Sequence, residues 1–460
     1  MLFYALLIAT LAMLVWSAWH AYSITRDPLH PLIYIAPLCV YAYVYKPLSL
    51  AHLGVLDAFF ENKQLLLVQA VNLIGVAAFC AGAMRHVHQV SRISVPSSVA
   101  RSNGESWLTP AVRHRTTEIA WLLGTAAVAT YWYMVFSAGG LSAAYARAKG
   151  GVTATSGYIS EMPMLSLSAI GLLYLAWSGK RITLSKLVLL LLVSSPLIVH
   201  GLLGARRGPT FMVLATLSIG GYAVSLRRPK LLTVFVTTFL LGSLLLFLVN
   251  NRQRIFLGST VVERWIAGDE PVAPANLKAL GNGEDWVFSA GTVLTSRESG
   301  THYWGRRLIA NLIIRPIPRQ LWPQKYIDTG FDWMDTQEEM GGMADNQWLL
   351  ALGWSPPRGA AAGFVADLFL EFSYLSFIAC YVFGWLYSYL WRRAVLDRGE
   401  WSILYLFAAV LSIYVPTQSV SAWTYRFVFL SVPTMVLWRL MVQPVVRDYR
   451  RINTAQPAPL

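Results

Sequence analysis

Long apolar runs recur along the whole of this 460-residue chain, and they constrain its fold more than any other feature. Eleven read as crossings of a bilayer, near residues 1–18, 31–48, 67–84, 117–137, 163–178, 184–200, 209–226, 231–249, 364–390, 402–419 and 425–442. Hydrocarbon offers no water to backbone N–H and C=O groups, so an open chain of such runs must satisfy them internally, as helices. With 56% hydrophobic and 13% charged residues, no soluble domain of ordinary size is left over. The expected fold class is an all-α polytopic membrane protein with about 11 transmembrane helices. The apolar N-terminus lacks a basic leader and a small-residue cleavage motif, and is read as a retained span.

Basic residues set the expected orientation. The connections at 178–181, 226–230 and 391–398, the segment 85–115 with five arginines and the tail 447–451 are all rich in Lys and Arg. The positive-inside rule places them in the cytoplasm, with the N-terminus out and the C-terminus in. The net charge of +14 is then a matter of topology, and no nucleic acid partner is expected. The division is helices 1–8 over 1–249, a long extracytoplasmic loop with short interfacial helices over 250–363, helices 9–11 over 364–446, and a cytoplasmic tail over 447–460. Cys39, Cys80 and Cys380 all fall inside spans, where a thiol packs more often than it pairs or binds metal.

The exported segments carry an unexpected charge pattern. Residues 297–325 hold six basic side chains against one acidic, Glu298, and residues 326–345 then hold six acidic and no basic ones. A cationic patch beside an acidic one fits a two-substrate surface; an internally salt-bridged loop is the alternative. Further arginines belong to the same side: Arg147 in the first large outer loop, Arg206 and Arg207 at the sixth-to-seventh turn, Arg252 and Arg254 after the eighth span, and Arg426 in the last. An arginine in the membrane core costs roughly 2.5–3.5 kcal/mol, less where it snorkels to headgroups. Snorkelling explains any one of them; convergence from several segments points instead to an anionic ligand. The guanidinium fork binds phosphate bidentately and never loses its charge. Such donors also stabilise charge on a departing diphosphate, so neither a general acid nor a metal or other cofactor is expected. The sequence has no tight His/Asp cluster and no Walker loop.

Residues 317–325, Ile-Pro-Arg-Gln-Leu-Trp-Pro-Gln-Lys, resemble the IPR-x-LWP-x-K signature of the oligosaccharide repeat unit polymerases, the Wzy-type O-antigen and exopolysaccharide polymerases. The Thr-His-Tyr-Trp-Gly segment at 301–305, the Gly-led approach to Glu371 at 363–374 and the Arg-Arg-Gly-Pro junction at 206–209 are similar to features of that family. Tyr326 stands where the family often has proline, and the resemblance covers about 200–375. It implies a GT-C-like glycosyltransferase architecture in the bacterial inner (cytoplasmic) membrane, with the active site facing the periplasm. The implied activity is metal-independent, inverting transfer of a growing glycan from undecaprenyl diphosphate to a second lipid-linked repeat unit. Partners would be the lipid-linked donor and acceptor, membrane lipids, and a flippase and chain-length regulator of the same pathway. Within the signature, the resemblance singles out Arg319 and Lys325 as diphosphate or glycan ligands, with Arg315 beside them.

Such a transfer needs a group to take the acceptor's proton. Glu371 and Asp367, four residues apart, share one helix face, and His302 is a third candidate. Glu371 is preferred, with His302 second; Asp367 reads rather as a structural partner of an arginine. Two other functions compete: an O-antigen ligase-like transferase, and a lipid-linked oligosaccharide flippase or other transporter. The second would favour internal repeats and charges deep in several spans, neither of which is seen.

Overall fold

The structure is a computed structural model that describes residues 1–91, 108–146, 158–204, 206–224, 228–251, 285–317, 319, 321–331, 339–340, 342–356 and 361–447. Helix dominates it. In chain order come α1 (Leu2–Thr25), α2 (Pro31–His52), α3 (Asn62–Met84), α4 (Pro110–Ser137), α5 (Leu165–Ala176), α6 (Leu184–Leu203), α7 (Arg207–Val224) and α8 (Leu231–Asn251). Then follow α9 (Asp285–Ser299), α10 (Asp345–Leu352), α11 (Phe364–Phe372), α12 (Ser376–Leu396), α13 (Glu400–Val410) and α14 (Val420–Leu437).

Among the described residues, eight helical segments are long and apolar enough to cross a bilayer. Three shorter apolar helices, Gly208–Val224, Leu231–Leu244 and Glu400–Pro416, stand at the remaining expected positions. Apolar side chains also cover the outside: Phe235 and Phe239 on α8 are 69% and 66% exposed, a surface that only lipid solvates well. The chain is a multi-pass α-helical membrane protein.

The bundle is held by close backbone approach. A Cβ on Gly82 of α3 would lie 2.1 Å from the Tyr381 carbonyl oxygen of α12, and one on Gly384 would lie 2.1 Å from that of Phe79. Small residues at a helix crossing let the backbones meet, the commonest packing device where water drives nothing. α5 is apolar on every side and buried at every position, so it forms the centre of the bundle. In α2, Pro37 precedes a π-helical turn, Tyr41–Tyr45, which disturbs the backbone ladder. The buried Gln69 of α3 compensates, its Nε2 donating to the Tyr43 carbonyl and to Thr10 Oγ1, each at 3.3 Å.

Two features depart from the expected layout. The span expected over 364–390 is two helices: Ser373, with φ 54°, stops α11, and a 3-10 turn, Ser373–Leu375, separates it from α12. Within the long loop, α9 is a buried helix. Its Trp286, Val287, Val293 and Leu294 pack against Phe3, Leu7, Leu50, Phe60 and Leu65. Buried Thr292, Thr295 and Ser296 lower its apolar character, which is why no apolar run marks it. Downstream, Arg306–Ile309 continues as a π-helix, Ala310–Ile314, within the loop where short helices are expected. A two-residue hairpin pairs Glu339–Met340 with Met343–Ala344.

Candidate anion-binding cleft

The cationic run is anchored by its third arginine. Arg307 is buried, and its Nε donates to Glu371 Oε1 at 2.8 Å while its Nη2 donates to Asp367 Oδ1. The four-residue spacing on α11 puts both carboxylates on one face. Their other oxygens are also occupied. Glu371 Oε2 accepts from the Gly305 amide at 2.9 Å, and Asp367 Oδ2 accepts from the Val420 and Ser421 amides at 2.8 and 3.4 Å. Asp367 thus caps the N-terminus of α14, where amides lack helical partners and the helix dipole favours a negative charge. Burial opposes the charge on Arg307, but the carboxylates of Asp367 and Glu371 outweigh it and hold its pKa above the ordinary arginine value.

The backbone is shaped around this clamp. Trp304 and Gly305 adopt φ 53° and 84°, and the Trp304 amide donates to the Glu371 carbonyl at 2.7 Å. Gly342, at φ 92°, passes so close that a Cβ there would lie 2.5 Å from Arg307 Nη1 and 2.8 Å from Leu370 Cδ2.

From Arg307 the helix turn leads to a cleft. Asn311 donates to the Arg307 carbonyl at 3.0 Å and accepts from Arg315 Nη1 at 3.1 Å, a ladder at four-residue spacing. The cleft, of about 280 Å³, is bordered by Asn311, Arg315, Ile317, Arg319, Lys325 and Tyr326 on this side. Ser160 and Glu161, which lie just before α5, and Ser421, Ala422, Tyr425 and Arg426 of α14 complete it. Four expected ligands therefore come together: Arg315, Arg319, Lys325 and Arg426. Arg315 and Arg319 are exposed. Arg426 reaches Glu161 Oε1 at 3.2 Å and lies 4.8 Å over the Tyr414 ring.

Lys325 differs from the other three. It is 3% exposed, and its Nζ donates to the carbonyls of Ile314, Arg315 and Ile317, at 3.1 and 2.9 Å for the first two. An ammonium has three protons to donate, and these carbonyls lie at the unsatisfied end of the π-helix. Lys325 therefore folds the 315–325 loop around itself and sets the positions of Arg315 and Arg319.

The remaining expected residues fall elsewhere. Glu371 does not border the cleft; its carboxylate belongs to the Arg307 clamp. Asp367 has the structural partnership with an arginine expected of it. Nor does His302 border the cleft. Its Nδ1 lies 3.1 Å from Ser296 Oγ, its ring meets Phe369 edge-on at 5.9 Å, and burial holds its pKa below the ordinary histidine value. Arg206 is exposed beside the Tyr145–His200 contact. The junction that follows packs on the cleft's margin, since a Cβ on Gly208 would lie 2.6 Å from the Tyr414 hydroxyl. Arg207 begins α7, with its side chain outside the described residues, and Arg147, Arg252 and Arg254 also lie outside them. Of the acidic run, Asp328 accepts from Trp322 Nε1 at 2.6 Å, whereas residues 332–338 are outside the described set. Glu161 is the residue that sequence reasoning missed: a carboxylate at a loop end carries no motif, and only the fold brings it to the arginines.

A scan against protein-family models, a search of curated proteins and a search of solved structures each return no match for this chain.

Proposed function

We propose that the protein is a lipid-linked oligosaccharide glycosyltransferase of the Wzy type. It joins undecaprenyl-diphosphate-linked repeat units into O-antigen or exopolysaccharide on the outer face of the bacterial inner membrane. The orientation expected from the basic connections, N-terminus out, supports a cleft on that face, away from cytoplasmic nucleotide sugars, in a GT-C-like architecture.

One observation supports this above the rest: Arg315 and Arg319 of one segment and Arg426 of another, far away in sequence, border one cleft. Three guanidinium groups around one cleft suit a diphosphate, whose negative charge grows as its bond to the sugar breaks. The apolar helices beside the cleft suit a polyprenyl tail. Transfer then consists of holding the diphosphate in the cleft, admitting an acceptor hydroxyl, and letting undecaprenyl diphosphate leave with the bonding electrons.

Deletion of the gene tests the proposal. The expected outcome is loss of long surface glycan while single repeat units still reach the surface or stay lipid-linked. Polymer that persists on undecaprenyl diphosphate but is never attached to its final acceptor would replace polymerase with ligase. Unchanged glycan would remove both.

A further inference from the structure

The proton acceptor follows from what borders the cleft. Among the described lining residues, Glu161 is the one carboxylate. The neighbouring tyrosine and serine hydroxyls ionise far above neutral pH and are poor bases. Glu371, on α11, has both oxygens engaged by Arg307 and the Gly305 amide. Glu161 has only one engaged: Arg426 Nη2 holds Oε1 at 3.2 Å, and Oε2 has no partner among the described residues. Its backbone leads into the core. It ends the short turn Tyr158–Glu161, which runs through Met162–Met164 directly into the fully buried α5.

We propose that Glu161 is the catalytic base of glycosyl transfer, an assignment that rests on the polymerase function proposed above. An acceptor hydroxyl oxygen forms a bond to the donor's anomeric carbon as the bond from that carbon to the diphosphate oxygen breaks. The bonding electron pair leaves with undecaprenyl diphosphate, and the hydroxyl proton passes to Glu161 Oε2. Arg426, by holding Oε1, aims the free oxygen into the cleft, and Arg315 and Arg319 take the departing charge.

The test uses the full-length protein in proteoliposomes, with lipid-linked oligosaccharide extracted from cells lacking the gene as the probe. E161Q keeps a side chain able to contact Arg426 but cannot accept the proton. It is expected to lower polymer formation by about 10²–10⁴-fold while binding of the labelled probe stays within about threefold. Added formate is expected to restore turnover to E161A, which a purely structural role would not allow. Near-normal turnover in E161Q, or equal losses of binding and turnover with no formate rescue, would overturn the assignment and leave the polymerase function standing. If wild-type protein forms no polymer from the probe, the polymerase function itself fails, whatever the variants do. Should E161Q not insert, E161D, which keeps the carboxylate, decides the matter by its formate-independent turnover: activity supports the base, and none in an inserted, probe-binding protein refutes it.

Discussion

Arg307 Nε meets Glu371 Oε1 at 2.8 Å, joining positions 64 residues apart. That contact ties the start of the cationic run to α11, and through Asp367 to the first amides of α14. Two walls of the cleft thus share one buried ion cluster, and removing the cation would strand two carboxylates.

Arg307→Met is therefore expected to destabilise the protein by about 3–5 kcal/mol, the usual cost of leaving a buried charge unpaired. Thermal unfolding in detergent, followed by size-exclusion chromatography, measures it. A triple change that also neutralises Asp367 and Glu371 to Asn and Gln is expected to recover part of that loss. A wild-type unfolding temperature for Arg307→Met alone would contradict the buried clamp.

Gly342→Ala tests the same cluster from its other side. The residue sits at φ 92° with its would-be Cβ 2.5 Å from Arg307 Nη1, so the substitution meets both backbone strain and a clash. A loss of about 1–3 kcal/mol is expected, read as a lower unfolding temperature. Gly330→Ala, at φ 71° with nothing within 4 Å, carries the strain without the clash and is expected to lose less.

Arg319 and Lys325 should separate function from folding. Arg319 is exposed, so Arg319→Ala is expected to leave stability within about 0.5 kcal/mol while polymer formation falls by roughly 10²–10³. Glycan length on gels, with membrane insertion checked by immunoblot, reads both. Lys325→Met removes the donors to three carbonyls and is expected to cost about 1–3 kcal/mol. Limited proteolysis at 314–325 should accelerate in that variant. Normal glycan length in Arg319→Ala would remove the residue from the site.

Stability should also fall in mild acid because of His302. Burial lowers its pKa in the folded protein, so the unfolded chain binds the proton more readily. The contribution is complete above the ordinary histidine value of about 6.5 and is lost as pH falls through that value toward the folded one. Unfolding temperatures of wild type and His302→Asn, compared from pH 7.5 down to 5 (about the range in which histidine titrates), should converge toward the acid end. A constant difference would show that His302 does not change protonation there.

The bundle was legible because an apolar run in lipid has only helix to adopt, so spans such as 1–18 and 67–84 correspond closely to α1 and α3. α9 was hidden for the opposite reason, since its buried face includes Thr292, Thr295 and Ser296. In the site, charge marked Arg315 and Arg426, and the resemblance of 317–325 to a family signature singled out Arg319. Charge could not say which cations would be consumed by the fold. Arg307 and Lys325 read as plain cations in the sequence, and only their partners, two carboxylates from α11 and three backbone carbonyls, reveal structural work. The acidic pair on α11 was correctly placed on one face, but periodicity does not show what that face meets.

The crossing of α3 and α12 bears on how the protein is made. His86 and Ser388, just beyond the facing glycines, meet across 302 residues of sequence. A ribosome supplying roughly 5–20 residues per second delivers α12 some 15–60 s after α3. Through that interval the face of α3 around Gly82 is without its α12 partner. The first helices are thus threaded into the bilayer in an unfinished arrangement, and the last third of the chain locks them together.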